Sequence, residues 1–153
     1  VLAIDPGDVH VGWASYVRTD TEEKLYDAGE ISNSEARKWV QGKLKRLDRR
    51  WVRCNETELI IEKFQLYGGD TLGSQIGKTM DTSELIGALK WIAAESGVNV
   101  VEQGASIQKP IEAQLRGRGI ELLNKGRHAK SAQLHLWYRL LSTNQLSAAK
   151  EGK

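Results

Sequence analysis

Hydrophobic and polar positions change their period several times along this chain. Residues 1–5, VLAID, form a short apolar run that ends in an acid before the turn pair Pro6-Gly7, which predicts a buried strand. Residues 10–18 are rich in Val, Trp and Tyr between Asp8 and Asp20, and residues 24–31, KLYDAGEI, alternate. Both predict strands, giving an antiparallel meander with the first. Ser34 has the character of an N-cap, and Ala36, Val40, Leu44, Leu47 and Trp51 follow at spacings of 4, 4, 3 and 4, the mark of an amphipathic helix. Residues 58–62, ELIIE, predict a fourth buried strand that again ends at an acid. Residues 65–82 hold four glycines and no clear period, and predict a long functional loop. Asp81 and Glu84 have capping-pair spacing and predict a helix over 82–96, with Leu85, Leu89 and Ile92 on one face and Gly97 as its stop. A fifth strand over 98–101, a short helix after Gln108-Lys109-Pro110, and a last helix over 127–142 complete the chain.

Three sequential strands followed by strands reached through helices imply an α/β domain: a mixed five-stranded sheet with helices on both faces. With no repeat or linker, residues 1–153 are expected to form one domain, with 143–153 a frayed polar tail. Hydrophobic residues at 40% and charged residues at 27% are ordinary for a globular protein, and no run of about 18 apolar residues suggests a membrane span. The single cysteine, Cys54, excludes an internal disulfide and a cysteine metal cluster, and points to a reducing compartment, the cytoplasm. The chain opens at Val1 directly in an apolar run, with no basic-then-apolar leader, and a short preceding segment with the initiator Met is expected.

The net charge of +2 is unevenly spread. Residues 1–62 hold 10 basic and 12 acidic residues, whereas 103–153 hold 9 and 3, a net of +6. A basic C-terminal third suits a polyanion, although from charge alone a solvated surface is the reading to prefer. The acids are more informative. Asp5 and Glu62 each end an apolar strand, and on parallel neighbouring strands their carboxylates would emerge together. Such a pair repels unless a cation or shared proton offsets it, and hard oxygen donors suit Mg²⁺ or Mn²⁺. The alternative is two solvent-facing acids.

The segment VLAIDPGDVHVGWA resembles the opening of RuvC-type Holliday junction resolvases of the ribonuclease H-like superfamily. There an Asp ends the first strand before Pro-Gly, and Gly-Trp-Ala follows in the second. LIIEKF, residues 59–64, is similar to the segment bearing the family's catalytic Glu, and the element order also agrees. Tyr67, Gly87, Ala88, Leu89 and VVEQGASIQKP look most like the bacteriophage RuvC-like branch. The resemblance implies a structure-selective endonuclease that cuts branched DNA and leaves 5′-phosphate ends. It implies Asp5, Glu62 and His128 as catalytic metal ligands for two Mg²⁺ or Mn²⁺ ions. It also implies a location in the cytoplasm, that of the bacterial host if phage-encoded. The family's last helix offers two acidic or His ligands three residues apart; here these are His128 and Ser131, and a serine hydroxyl is a weak ligand. A noncatalytic branched-DNA-binding module on the same fold is the alternative that Ser131 raises.

Helix geometry puts 128, 131 and 135 on one face, yet 128 and 135 are about 10.5 Å apart along the axis, so His135 cannot share an ion with His128. It is expected to support or pack. Lys63, Lys78, Lys109, Arg116, Arg118, Lys125, Arg127 and Lys130 flank the acids and are candidate phosphate contacts. By resemblance, an aromatic after Glu62 stacks on an unpaired base, and Tyr67 is the candidate, with Phe64 assigned to the core. GSQIGKT, residues 73–79, has three residues between its glycines where a phosphate-binding P-loop needs four, and is expected to be a flexible DNA-facing loop. Trp91 shares a face with Ala88, away from the leucine stripe; by resemblance this helix lies at a homodimer interface.

Overall fold

The structure is a computed structural model describing residues 1–18, 24–49, 57–63 and 72–143; side chains at 72–80 and at a few element ends are outside that description. Trp51, Cys54, Phe64 and Tyr67 fall outside it, as do the Lys78 side chain and the expected tail beyond Thr143. The strands are β1 (Leu2–Asp5), β2 (His10–Arg18), β3 (Lys24–Ser32), β4 (Glu58–Glu62) and β5 (Asn99–Gln103). The helices are α1 (Asn33–Arg49), α2 (Leu72–Glu95), α3 (Gln108–Gly117) and α4 (Arg127–Ser142), with a 3₁₀ turn at Ala105–Ile107. The sheet order is β3-β2-β1-β4-β5. β1–β2 and β2–β3 are antiparallel, whereas β1–β4 and β4–β5 are parallel. The expected α/β architecture is thus present.

Strand side chains alternate between two layers. Leu2, Ile4, Leu59 and Ile61 point to one face, where they are buried against Ala36, Val40 and Leu44 of α1 and Leu85, Leu89 and Ile92 of α2. Ala3, Ala14, Ala28 and Ile60 point to the other, against Ala132, Leu136 and Leu140 of α4. The three alanines are short, and let α4 lie close to the sheet. No described helix is long and apolar enough to cross a membrane.

Three local expectations are corrected. α2 begins at Leu72 rather than near 82, so GSQIGKT is helical rather than a loop, and Asp81 is mid-helix rather than a cap. Gly73 and Gly77 hide this in the sequence: each costs only about 1 kcal/mol in a helix, and a turn nucleated downstream extends through them. α1 starts at Asn33, which places Ser34 inside its first turn. Ser32 holds the boundary instead, its hydroxyl donating to Glu35 Oε2 at 2.6 Å with Ser-x-x-Glu spacing.

Candidate active site

The register of β1 and β4 pairs Ile4 with Ile61. One residue further, Asp5 and Glu62 end these strands side by side, and period-2 alternation turns both toward the α4 layer. β4 and β5 pair Glu62 with Gln103 on the same face. A row of three polar strand ends, Asp5, Glu62 and Gln103, therefore crosses the sheet beneath α4.

α4 meets this row with His128, Ser131 and His135. His128 Nδ1 donates to Asp5 Oδ2 at 2.9 Å. Ser131 Oγ donates to Glu62 Oε2 at 2.7 Å. His135 Nε2 donates to the same oxygen at 3.1 Å, and its Nδ1 lies 2.9 Å from Gln103 Oε1. From α3, Gln108 Nε2 donates to Ser131 Oγ at 2.8 Å and to Glu62 Oε2 at 3.2 Å.

The approach of α4 depends on residues of the opening motif. A Cβ on Gly12 would collide with the backbone of His128 and Ala129, and one on Gly7 with His10 and the His128 ring. Only glycine lets the first turn of α4 sit this low. Gly126, the N-cap, has φ 105° and offers no side chain to the helix end. Glu30 of β3 does so instead, accepting from the His128 and Ala129 amides at 2.7 and 3.3 Å. Deeper in α4, buried Gln133 accepts from Tyr26 Oη at 2.5 Å and from Leu123 N at 2.7 Å, and donates to Leu123 O and Ala129 O. This clamps the helix to β3 and to the segment before it.

The electrostatics separate the two carboxylates. Burial pushes Asp5 above the usual carboxylate range, and the charge of Glu62 adds to this against the pull of the His128 hydrogen bond. Burial would raise Glu62 as well, but hydrogen bonds from His135 and Ser131 outweigh it and hold Glu62 low. Asp5, first by hydrogen bond and then by charge, raises His128 above its ordinary value, burial opposing.

A cavity of about 300 Å³ opens over this centre, lined by Asp5, Glu62, Gln108, Glu112, Arg127, His128, Lys130, Ser131 and Leu134. Of the basic candidates, Arg127 and Lys130 line it, Lys130 pairing with Glu112 at 2.7 Å. Arg116 lines an adjoining cavity of about 540 Å³. Lys63, Lys109, Arg118 and Lys125 are exposed and line neither cavity. Among the described residues, no three His, Cys, Asp or Glu side chains form a group that could hold an ion. The Asp5–Glu62 pair nonetheless has the right donor chemistry for one: burial first, and then the charge of Glu62, raise Asp5, and a hard cation between two carboxylates offsets both.

Sequence reasoning missed Gln103, Gln108, Glu30 and Glu112. Amides and a capping acid carry no motif, and their roles come from register and packing. In the turn after β1, Asp8 Oδ1 accepts from Thr82 Oγ1 at 2.6 Å, tying that turn to α2.

No protein-family model matches the chain, and no curated protein matches it in sequence. Solved structures do. Thermus thermophilus RuvC in complex with a Holliday junction substrate superposes with a TM-score of 0.62 at 16% identity, covering 94% of each chain. The fold is that of RuvC. A second Thermus thermophilus RuvC structure agrees, with a TM-score of 0.58, 18% identity and coverage of 93% of this chain and 96% of that one. Fowlpox virus resolvase, in complex with its substrate Holliday junction DNA, matches at a TM-score of 0.48 and 13% identity over 97% of this chain and 98% of that one.

Proposed function

We propose that this protein is a metal-dependent, structure-selective DNA endonuclease that hydrolyses phosphodiesters in Holliday junctions or other branched DNA. The observation that carries it is the Asp5–Glu62 pair, set side by side under α4 in a cavity rimmed by Arg127 and Lys130. The RuvC fold supports the same reading, since the solved RuvC complex contains a Holliday junction.

Asp5 and Glu62 would hold one Mg²⁺ or Mn²⁺, with His128 the nearest further donor. When bound, such an ion supplies an activated water and offsets charge developing on the phosphate. Glu62 remains ionised for this because His135 and Ser131 donate to it. His128 orients Asp5 through Nδ1. Ser131 gives its proton to Glu62 and accepts from Gln108, so it serves Glu62 rather than an ion. With Ser131 committed to Glu62, a second ion would rest on Asp5 and His128 alone, which favours a single-ion site over the expected two. Arg127 and the exposed Lys63, Lys109, Arg116, Arg118 and Lys125 would contact phosphates without reading sequence. The products would carry 5′-phosphates. A homodimer through the α2 face bearing half-buried Ala88 and Trp91, which is 63% exposed, would place two sites on one junction.

A noncatalytic branched-DNA-binding module is the alternative, favoured by the neutral Ser131 beside Glu62. The test is a panel of labelled four-way junction, flap, RNA–DNA hybrid and linear duplex, with Mg²⁺, Mn²⁺ or EDTA. The proposal expects divalent-ion-dependent cleavage of branched DNA over duplex. Tight junction binding without cleavage in either metal selects the module, and preferential cutting of the hybrid selects a different ribonuclease H-like activity.

A further inference from the structure

His135 is the one α4 residue in the polar row that never reaches the cavity. It is fully buried, at 0% exposure, between Leu134 and Leu136. An aliphatic side chain would fill such a place without burying two ring nitrogens, which is costly unless both are partnered. Here both are. Nε2 meets Glu62 Oε2 at 3.1 Å and Nδ1 meets Gln103 Oε1 at 2.9 Å, so the ring bridges the ends of β4 and β5.

We infer that His135 is a positioning residue for Glu62, with Gln103 holding its ring. Glu62 Oε2 collects three donors, from Ser131, His135 and Gln108. Among the described residues no donor reaches Oε1, the oxygen left for a cation. The three donors are unequal. The Ser131 hydroxyl can rotate about its bond, and Gln108 splits its amide between two acceptors. The His135 ring is fully buried, with the Gln103 amide against its other nitrogen, so of the three donors it has the least freedom to follow the Glu62 carboxylate if that moves. Hydrogen-bonded partners of this kind set the orientation of a ligating carboxylate, and their loss typically costs about 10- to 100-fold in metal affinity or activity. This rests on the proposal that Asp5 and Glu62 bind a divalent ion.

The experiment titrates Mn²⁺ by calorimetry into the full chain and its His135→Leu, His135→Gln and Gln103→Leu variants. Circular dichroism checks their folding, and kcat and KM are measured on a four-way junction. His135→Leu is expected to weaken Mn²⁺ binding by about 10- to 100-fold and to lower kcat while leaving KM for DNA unchanged. His135→Gln, which places an amide nitrogen at the reach of Nε2, is expected to recover most of both. If His135→Leu does not fold, Gln103→Leu is expected to weaken Mn²⁺ binding in the same direction with the fold kept. Unchanged Mn²⁺ affinity in a folded His135→Leu or Gln103→Leu variant overturns the positioning role while leaving the metal site intact. A folded His135→Gln no better than His135→Leu overturns it too. A wild-type chain that takes up no Mn²⁺ overturns the metal site itself, and this role with it.

Discussion

At the scale of single residues, the centre is built from a conflict. Asp5 is buried beside a second carboxylate, and its pKa is raised by burial and by Glu62. Ionised Asp5 therefore costs the metal-free fold stability above its folded pKa. Asp5→Asn removes that charge, and the variant is expected to melt at a higher temperature than wild type near neutral pH in EDTA. Adding Mg²⁺ should raise the melting temperature of wild type only. An Asp5→Asn protein that melts lower in EDTA and still gains from Mg²⁺ would place the ion elsewhere. Asp5 and Glu62 were legible in the sequence because each ends an apolar strand, whereas His128 was reached only through the resemblance of the last helix to the family's pattern. Glu30, Gln103 and Gln108 were not legible, because an amide or a capping acid gains meaning only from the neighbour that folding supplies.

At the scale of elements, the decisive contact is α4 on the sheet. Gly12 admits the first turn of α4 by having no side chain, and Gly12→Ala must push the His128 backbone away. Overpacking of this kind costs about 1–3 kcal/mol, measurable by urea unfolding, and should lower cleavage by more than the lost stability explains. Gln133→Leu leaves Tyr26 Oη and the Leu123 amide without their acceptor, at about 1–3 kcal/mol. The far end of α4 is held by Arg139, whose Nε donates to Glu58 Oε2 at 2.8 Å and whose guanidinium keeps Glu58 below its ordinary value of 4.5. A carboxylate depressed by folding stabilises above its unfolded pKa, and that contribution disappears as pH falls through the folded pKa. Arg139→Met is therefore expected to be less stable at neutral pH, with the gap closing below about pH 4.5; a gap constant down to about pH 3 would refute it. The element pattern was legible wherever a stripe, an alternation or a bounded apolar run marked it, as in α1, β3, β1 and β4. The first turns of α2 were not, since Gly73 and Gly77 interrupt any stripe there.

At the scale of the whole molecule, opposite charges are sorted into one centre and its surroundings. Acids converge under α4, while exposed basic residues follow on α3, on α4 and in the segment between them. A homodimer through Ala88 and Trp91 would pair two such centres, and Trp91→Glu is expected to give monomers by light scattering; an unchanged dimer would move the interface elsewhere. The central claim is that the Asp5–Glu62 pair performs metal-dependent hydrolysis of branched DNA. Single-turnover cleavage of a labelled four-way junction in Mg²⁺ or Mn²⁺, wild type beside Asp5→Asn, tests it most directly. Wild type should cut the junction and stop in EDTA, and Asp5→Asn should lose at least about 100-fold in rate while still binding the DNA. Cleavage that persists in Asp5→Asn, or in EDTA, would contradict it.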